Sequence, residues 1–177
     1  MMNSFLELAQ ERVSYRGKYR NEQVPREDLV KIMQAGLAAP SGCNQQTTYL
    51  IGVDDTALLD KIKSMFGKPV AETAPAMICV LAKDTPSYRG RSYHVQDYSA
   101  AIENMLLEIK SLGYDSCWYE GYVTNEARVG EKISALLEIP DEYEVVCVLP
   151  VGIAEDEPRY APKMAFEERA WFNGFKK

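Results

Sequence analysis

Histidine is nearly absent from this chain: its 177 residues include one, His94. That excludes a metal site needing two imidazoles, and a Ser-His-Asp nucleophile system would have to use this single residue. His94 reads instead as a loop residue. There is no Cys-x-x-Cys pair, because the four cysteines, Cys43, Cys79, Cys117 and Cys147, are widely scattered. Three of them sit in apolar runs, and Cys79 and Cys147 read as buried free thiols. No apolar run is long enough to span a bilayer, and Met1-Met2-Asn3-Ser4 lacks the basic and apolar regions of a leader. The chain is therefore expected in the cytoplasm, away from the membrane. Neither Gly-x-Gly-x-x-Gly nor Gly-x-x-x-x-Gly-Lys-Ser/Thr occurs, so neither of the two common nucleotide cradles is indicated. Positive charge is also scarce. Twenty Lys and Arg stand against 26 Asp and Glu, a net charge of −6, which argues against a nucleic-acid surface.

What is present is ordinary for a globular protein, 46% hydrophobic and 26% charged, and the length predicts one domain over 1–177. Ser4 and Glu7 form a capping box before a short helix with Phe5, Leu8 and Ala9 on one face. Val24-Pro25 opens a second helix bearing Leu29, Ile32, Met33, Gly36 and Leu37, stopped by Pro40. Thr47 to Val53 reads as a strand. Asp54 or Asp55 caps a third helix with Leu58, Leu59, Ile62 and Phe66, ended by Gly67. Pro75 to Ala82 is a continuous apolar run of buried-strand type. Lys83 to Val95 reads as an exposed loop. From about Asp97 the residues Tyr98, Ile102, Met105, Ile109 and Leu112 recur with helical period, and Gly113 follows as the terminating residue. Asp115 to Tyr119 is a brief strand, Thr124 caps a helix with Val129, Ile133, Leu136 and Leu137, and Glu144 to Val151 is the last strand. Four strands among about five helices make the fold α/β or α+β. The segment 155–177 is a polar tail carrying Phe166, Trp171, Phe172 and Phe175, and those aromatics suit a tail packed on a partner subunit.

Two stretches carry chemistry. In an extended Arg12-Val13-Ser14-Tyr15-Arg16, alternate side chains share a face, so Arg12, Ser14 and Arg16 present two guanidinium forks around a hydroxyl, a phosphate receptor. Pro40-Ser41-Gly42-Cys43-Asn44 is a helix stop whose turn can bring backbone amides to a ligand, with Asn44 able to donate and to accept.

Together with a later Trp118-Tyr119-Glu120-Gly121 and a Pro-Val-Gly after the last strand, this ordered set resembles the FMN-dependent nitroreductase family over about Arg12 to Lys163. The resemblance selects an α+β fold, a mixed sheet flanked by helices, in an intertwined homodimer. It implies that Arg12, Ser14 and Arg16 hold the FMN phosphate and ribityl end, joined by Lys163 or Arg159 from the C-terminal segment. It further implies that Pro40, Ser41, Gly42 and Asn44 lie against the flavin ring from the other subunit. Trp118, Tyr119, Glu120 and Gly121 would flank the N5 side, with a backbone amide near Glu120 aimed at N5. The implied activity is that of an NAD(P)H oxidoreductase. NADH or NADPH reduces the flavin, and a nitroaromatic or quinone acceptor takes the electrons in a ping-pong cycle with no catalytic side-chain acid or base.

The chain departs from the family at Gln45-Gln46-Thr47, where members commonly have Gln-Pro-Trp, and between Ala82 and Asp97, which is shorter than in larger members. A family basic or amide residue before the second strand has only Lys68 as a loose counterpart. These departures touch the acceptor pocket and keep two alternatives open. One is a flavin carrier or sensor without turnover, and the other a dehalogenase or flavin-modifying enzyme of the same fold.

Overall fold

The continuous apolar run from Ala76 to Ala82 is fully buried because it is the middle strand of a sheet covered on both faces. In the computed structural model, which describes residues 4–121 and 123–175, the order is β1 (Thr48–Val53), β2 (Ala76–Ala82), β3 (Glu144–Val151). Both pairings are antiparallel, with Thr48 opposite Ala82 and Ala76 opposite Val151, and a slip between Val80 and Leu81. Side chains alternate across a strand. Met77, Cys79 and Leu81 thus enter one core with Leu59, Ile62, Val70 and Ile133. Ala76, Ile78, Val80 and Ala82 enter a second core with Leu29, Ile32, Ile102, Met105 and Ile109.

Six helices supply those layers: α1 (Phe5–Glu11), α2 (Arg26–Leu37), α3 (Thr56–Lys63), α4 (Pro69–Glu72), α5 (His94–Ser111) and α6 (Val129–Leu136). The capping box at Ser4 and Glu7 forms, and Asp55 rather than Asp54 caps α3, its side chain accepting from Leu58 N–H at 2.9 Å. α5 is the longest helix and packs along α2. They approach closely at Gly36, where a Cβ would lie 2.7 Å from Met105 Cγ. Gly113, at φ +85°, ends α5 as its spacing predicts.

Several expectations are corrected. Among the described residues there are three strands, not four, and the sheet they form is antiparallel rather than mixed. Residues 115–119 make isolated bridges to different partners: Asp115 to Gly152, Ser116 to Ser14 in parallel, and Tyr119 to Val148. A segment that changes partner at each step stitches elements together and builds no ladder. His94 is the first residue of α5 rather than a loop residue, and no side chain caps that start, which is why the sequence gives no signal there. Thr124 does not cap α6. The Asn125 side chain accepts from Ala127 N–H at 2.9 Å, and the helix waits for Arg128, at φ +51°, before it starts. Phe66 lies beyond the end of α3 yet is buried against Tyr119, with ring centroids 5.2 Å apart. The one-turn α4 was not expected. The outer limits of the predicted domain, residues 1–3 and 176–177, lie outside the described residues, as does the leader reading at Met1 to Asn3.

Cys79, Cys117 and Cys147 are buried and Cys43 is exposed. The tail leaves Phe166, Phe172 and Phe175 exposed, while Trp171 is half-buried with its ring 4.2 Å from that of Phe175.

Candidate functional site

The Arg12–Arg16 motif is held by two remote parts of the chain. Tyr15 N–H donates to the Ser116 carbonyl at 2.9 Å, and Arg20 N–H to that of Ile153 at 2.9 Å. Glu155 N–H returns a bond to the Lys18 carbonyl at 2.9 Å, and Asp156 N–H reaches the Tyr15 hydroxyl at 3.4 Å. Tyr15 and Tyr19 are both buried, edge to face. This double seam lays the segment after β3 beside the motif. The result is a cleft of about 710 Å³ lined by Ser14, Arg16 and Arg159 together with Asp156 and Glu157.

Ser14 and Arg16 share that cleft as their spacing predicts, and Arg159 joins them. Among the described residues no carboxylate lies within 4.0 Å of Arg16 or Arg159. Two guanidinium forks without acidic partners suit an anion with several acceptor oxygens. Asp156 and Glu157 cancel the cleft's formal charge, so directional donors rather than a net field would do the binding. Ser116 Oγ, buried beside Ser14 at their bridge, has no hydrogen-bond partner among the described residues. The cleft therefore fits a phosphate-bearing cofactor end.

Arg12 behaves differently. At the C-terminal end of α1 its Nε lies 3.5 Å from Glu103 Oε1 on α5, and its side chain is 19% exposed. It is not part of the cleft lining. Lys163 lies further along the exposed tail and does not line the cleft either.

Pro40 to Asn44 sits on a separate scaffold, the start of α5. Gly42 N–H donates to Asp97 Oδ1 at 2.7 Å, and Ser41 Oγ accepts from Gln46 N–H at 3.0 Å. Cys43, Asn44 and Gln46 all adopt left-handed backbone, at φ +52°, +54° and +50°. Three such non-glycine residues within four positions store strain of the kind that gathers at ligand-binding segments. Asn44 is exposed and available.

Trp118, Tyr119, Glu120 and Gly121 extend from the seam that holds Ser14. Trp118 Nε1–H donates to Glu120 Oε2 at 2.8 Å, which ties the glutamate to the indole two residues before it. Glu120 also lies close to α5. Burial pushes the Tyr98 hydroxyl above its ordinary range, and the charge of Glu120 adds to it. Next to the seam, burial pushes the Cys117 thiol up to about 11, against a smaller opposing pull from the Arg16 charge. The structure thus links 118–121 to the Arg16 cleft through the seam and to the Pro40 turn through consecutive residues of α5, Asp97 and Tyr98.

Sequence reasoning missed Asp97, the buried carboxylate that organises the Pro40 turn, and Tyr93, which packs against Gly42. A lone aspartate at a helix start carries no signature of a partner 55 residues away.

Comparison with known proteins identifies the family. The family model described as "Nitroreductase family" matches residues 9–71 and 62–153. A relative from Archaeoglobus fulgidus, provisionally named an NADH dehydrogenase/NAD(P)H nitroreductase, is 36% identical over 140 residues, covering 78% of this chain and 79% of the relative. The iodotyrosine deiodinase of Thermotoga neapolitana is 25% identical over 186 residues, covering 90% of this chain and 94% of its own. Among solved structures, the FMN-dependent nitroreductase of Clostridium difficile R20291 superposes with a TM-score of 0.81 at 26% identity, covering 97% of this chain and 100% of its own. With its family model spanning most of its length and its cleft built from the motif that opens that span, the chain belongs to the nitroreductase family.

Proposed function

We propose that the chain is an FMN-dependent NAD(P)H oxidoreductase that reduces nitroaromatic or quinone-type acceptors in a ping-pong cycle, as a cytoplasmic homodimer. The observation that carries this reading is the convergence of Ser14, Arg16 and Arg159 on one cleft in a member of the nitroreductase family. When bound, FMN supplies the redox chemistry, accepting hydride from the nicotinamide and passing electrons to the acceptor.

The chain's own residues bind, orient and shield. Arg16 and Arg159 donate to the phosphate and Ser14 contributes its hydroxyl. Arg12 keeps further N–H donors for the ribityl end while its Nε faces Glu103. Lys163 would join from the tail. Pro40, Ser41, Gly42 and Asn44 would lie against the ring, with Asn44 able to donate and accept there, and Trp118, Tyr119, Glu120 and Gly121 would flank its N5 side with a backbone amide. No side chain is assigned as acid or base. His94 Nδ1 faces both Ser92 Oγ, at 2.7 Å, and Asp84, at 3.3 Å, so both neighbours use one ring nitrogen and no relay runs through the imidazole. The arginine cleft and the Pro40 turn rest on separate scaffolds, which supports a ring enclosed between two copies, with the aromatic tail packed on the partner.

An absorption spectrum of the purified protein tests this. The expected result is a flavin spectrum that bleaches when NADH or NADPH is added without oxygen and returns when a quinone follows. A colourless protein that takes up no FMN overturns it. The similarity to the Thermotoga deiodinase over nearly the whole chain supports a second reading, reductive dehalogenation. Release of halide from a halogenated phenol, with no turnover of nitroaromatics, would select that reading instead.

A further inference from the structure

The turn from Ser87 to Arg91 stands outside every role assigned above. Ser87 N–H donates to the Arg91 carbonyl at 2.8 Å and the Ser87 hydroxyl donates to the same oxygen at 3.2 Å. Arg91 N–H bonds back to the Tyr88 carbonyl at 3.1 Å. Three hydrogen bonds thus close the neck of a five-residue loop, with Arg89 at φ +54° and Gly90 at φ +75° forming its tip.

Both Arg89 and Arg91 are exposed, and among the described residues neither has a carboxylate within 4.0 Å, although acids outnumber bases in this chain. Asp84, on the approach to the turn, faces His94 instead, 3.3 Å from Nδ1. The Arg89 guanidinium lies over the Tyr88 ring at 5.1 Å, and that ring is itself exposed. The turn therefore displays two exposed guanidinium forks without a carboxylate partner among the described residues, one of them stacked on the Tyr88 ring. The chain leaving it runs through Tyr93, whose Cβ stands 2.5 Å from where a side chain on Gly42 would begin. The root of the turn is packed against the Gly42 segment.

We propose that the Ser87–Arg91 turn is an anion receptor for the reactants that visit the flavin, its two guanidinium groups taking a phosphate or carboxylate carried by one of them. The inference rests on the flavin reading above, which sets the Gly42 segment against the ring. Two reactants could bring the anion: a reductant with a 2′-phosphate, or an acceptor with a carboxylate. Arginine forks suit both groups.

The test uses flavin-loaded protein and the double variant Arg89→Gln/Arg91→Gln, with two matched pairs of reactants. NADPH and NADH differ by one phosphate, and 4-nitrobenzoate and 4-nitrobenzamide by one charge. The expected result is a KM about tenfold higher for the anionic member of one pair, as for a lost charge-assisted hydrogen bond. The neutral or unphosphorylated counterpart, kcat and the flavin spectrum stay unchanged. A rise confined to NADPH assigns the turn to the reductant, and one confined to nitrobenzoate assigns it to the acceptor. The variant Arg89→Lys/Arg91→Lys should recover part of the effect, because charge remains while the fork is lost. Equal KM ratios within both pairs before and after substitution overturn the inference while leaving the flavoenzyme reading intact. A wild-type protein without flavin, visible before any KM is measured, overturns that reading and the inference with it.

Discussion

Asp97 and Gly42 are joined across 55 positions by a hydrogen bond of 2.7 Å, the Gly42 N–H donating to Oδ1. The other carboxylate oxygen accepts the Thr47 hydroxyl at 2.7 Å, and Asp97 is 4% exposed. One carboxylate in the first turn of α5 thus pins both ends of the segment 42–47. Between those ends Cys43, Asn44 and Gln46 hold left-handed backbone, each at a cost of roughly 1–2 kcal/mol. Hydrogen bonds to a charged acceptor contribute about 1.5–3 kcal/mol each. The two magnitudes are comparable, so Asp97 offsets most of the strain the turn carries.

Removing that anchor tests the balance. Asp97→Ala is expected to lower stability by on the order of 3 kcal/mol and to weaken FMN binding, because the strained turn relaxes away from the ring. Asp97→Asn, which keeps one acceptor oxygen, loses less. Urea unfolding with an unchanged m value, together with a flavin titration, reads both effects. Wild-type midpoints and affinity in the Ala variant would show that the turn holds itself.

Gly42 is required for space rather than for its backbone angle. A Cβ there would lie 2.5 Å from Tyr93 Cβ and 2.6 Å from Cγ, well inside contact distance and against the rigid root of a side chain. Gly42→Ala is expected to cost about 1–3 kcal/mol by overpacking. Adding Tyr93→Ala removes the obstruction, so the double variant should be more stable than the sum of the two single changes implies. Strict additivity of the unfolding free energies would contradict the close approach.

Arg16 and Arg12 should separate under substitution. Arg16 is exposed and, among the described residues, its hydrogen bond is a marginal 3.5 Å to the Ser14 carbonyl, so Arg16→Ala leaves the fold intact. It is expected to weaken FMN binding by about 1.5–3 kcal/mol, as is Arg159→Ala. Arg12→Ala also breaks the ion pair with Glu103, which at this exposure contributes about 1 kcal/mol or less. A combined stability and flavin titration distinguishes them. Unchanged FMN affinity in the Arg16 variant would refute the phosphate site.

Much of this arrangement is legible in the residue order, and what is not has a physical cause. The continuous run 76–82 announces a strand buried on both faces, and Leu29, Ile32 and Met105 announce the helices that cover it, since burial imposes periodicity. Ser14 and Arg16 share a face because an extended chain alternates. The diversion of Arg12 toward Glu103 depends on where α5 passes α1, a tertiary relation with no local trace. The start of α5 at His94 lacks a capping side chain, and the start of α6 is delayed by the Asn125 turn, so both boundaries escape a reading by caps. Residues 115–119 read as a strand from the apolar Cys117-Trp118-Tyr119 run, but Asp115, Ser116 and Tyr119 each bridge a different partner.

Buried thiols give a pH dependence with a defined sign. Burial pushes Cys79 up to about 12 and Cys117 up to about 11, from an ordinary value of 9.0. A group whose folded pKa is raised favours the protonated, folded state below its unfolded pKa and loses that advantage as pH rises through the folded value. Stability is therefore expected to hold up to about pH 9 and to fall from there through about 11 and 12. Buried Tyr19, raised by the same desolvation, adds to the decline. Urea midpoints measured from neutral to alkaline pH check this, and Cys79→Ala should flatten part of the slope. In the native state near neutral pH, a thiol reagent should label one cysteine, the exposed Cys43.

The tail supplies the test of assembly. Phe166, Phe172 and Phe175 are 62%, 77% and 74% exposed, and Trp171 leans on Phe175 rather than on the sheet. A large aromatic side chain buries roughly 150–250 Å² when covered, so leaving three of them in water forgoes several kcal/mol of burial. In the proposed homodimer a second copy of the chain would cover them, and the same copy would complete a site whose arginine cleft and Pro40 turn rest on different scaffolds. Phe166→Ser/Phe172→Ser/Phe175→Ser retains Arg159 and Lys163 and changes only the apolar contacts. Sedimentation should show a dimer for the natural chain and a shift toward monomer for the triple variant. FMN affinity should fall in the same concentration range, since a cofactor enclosed between two copies is released when they part. A natural chain that sediments as a monomer while retaining its flavin would sever the link between tail, partner and site.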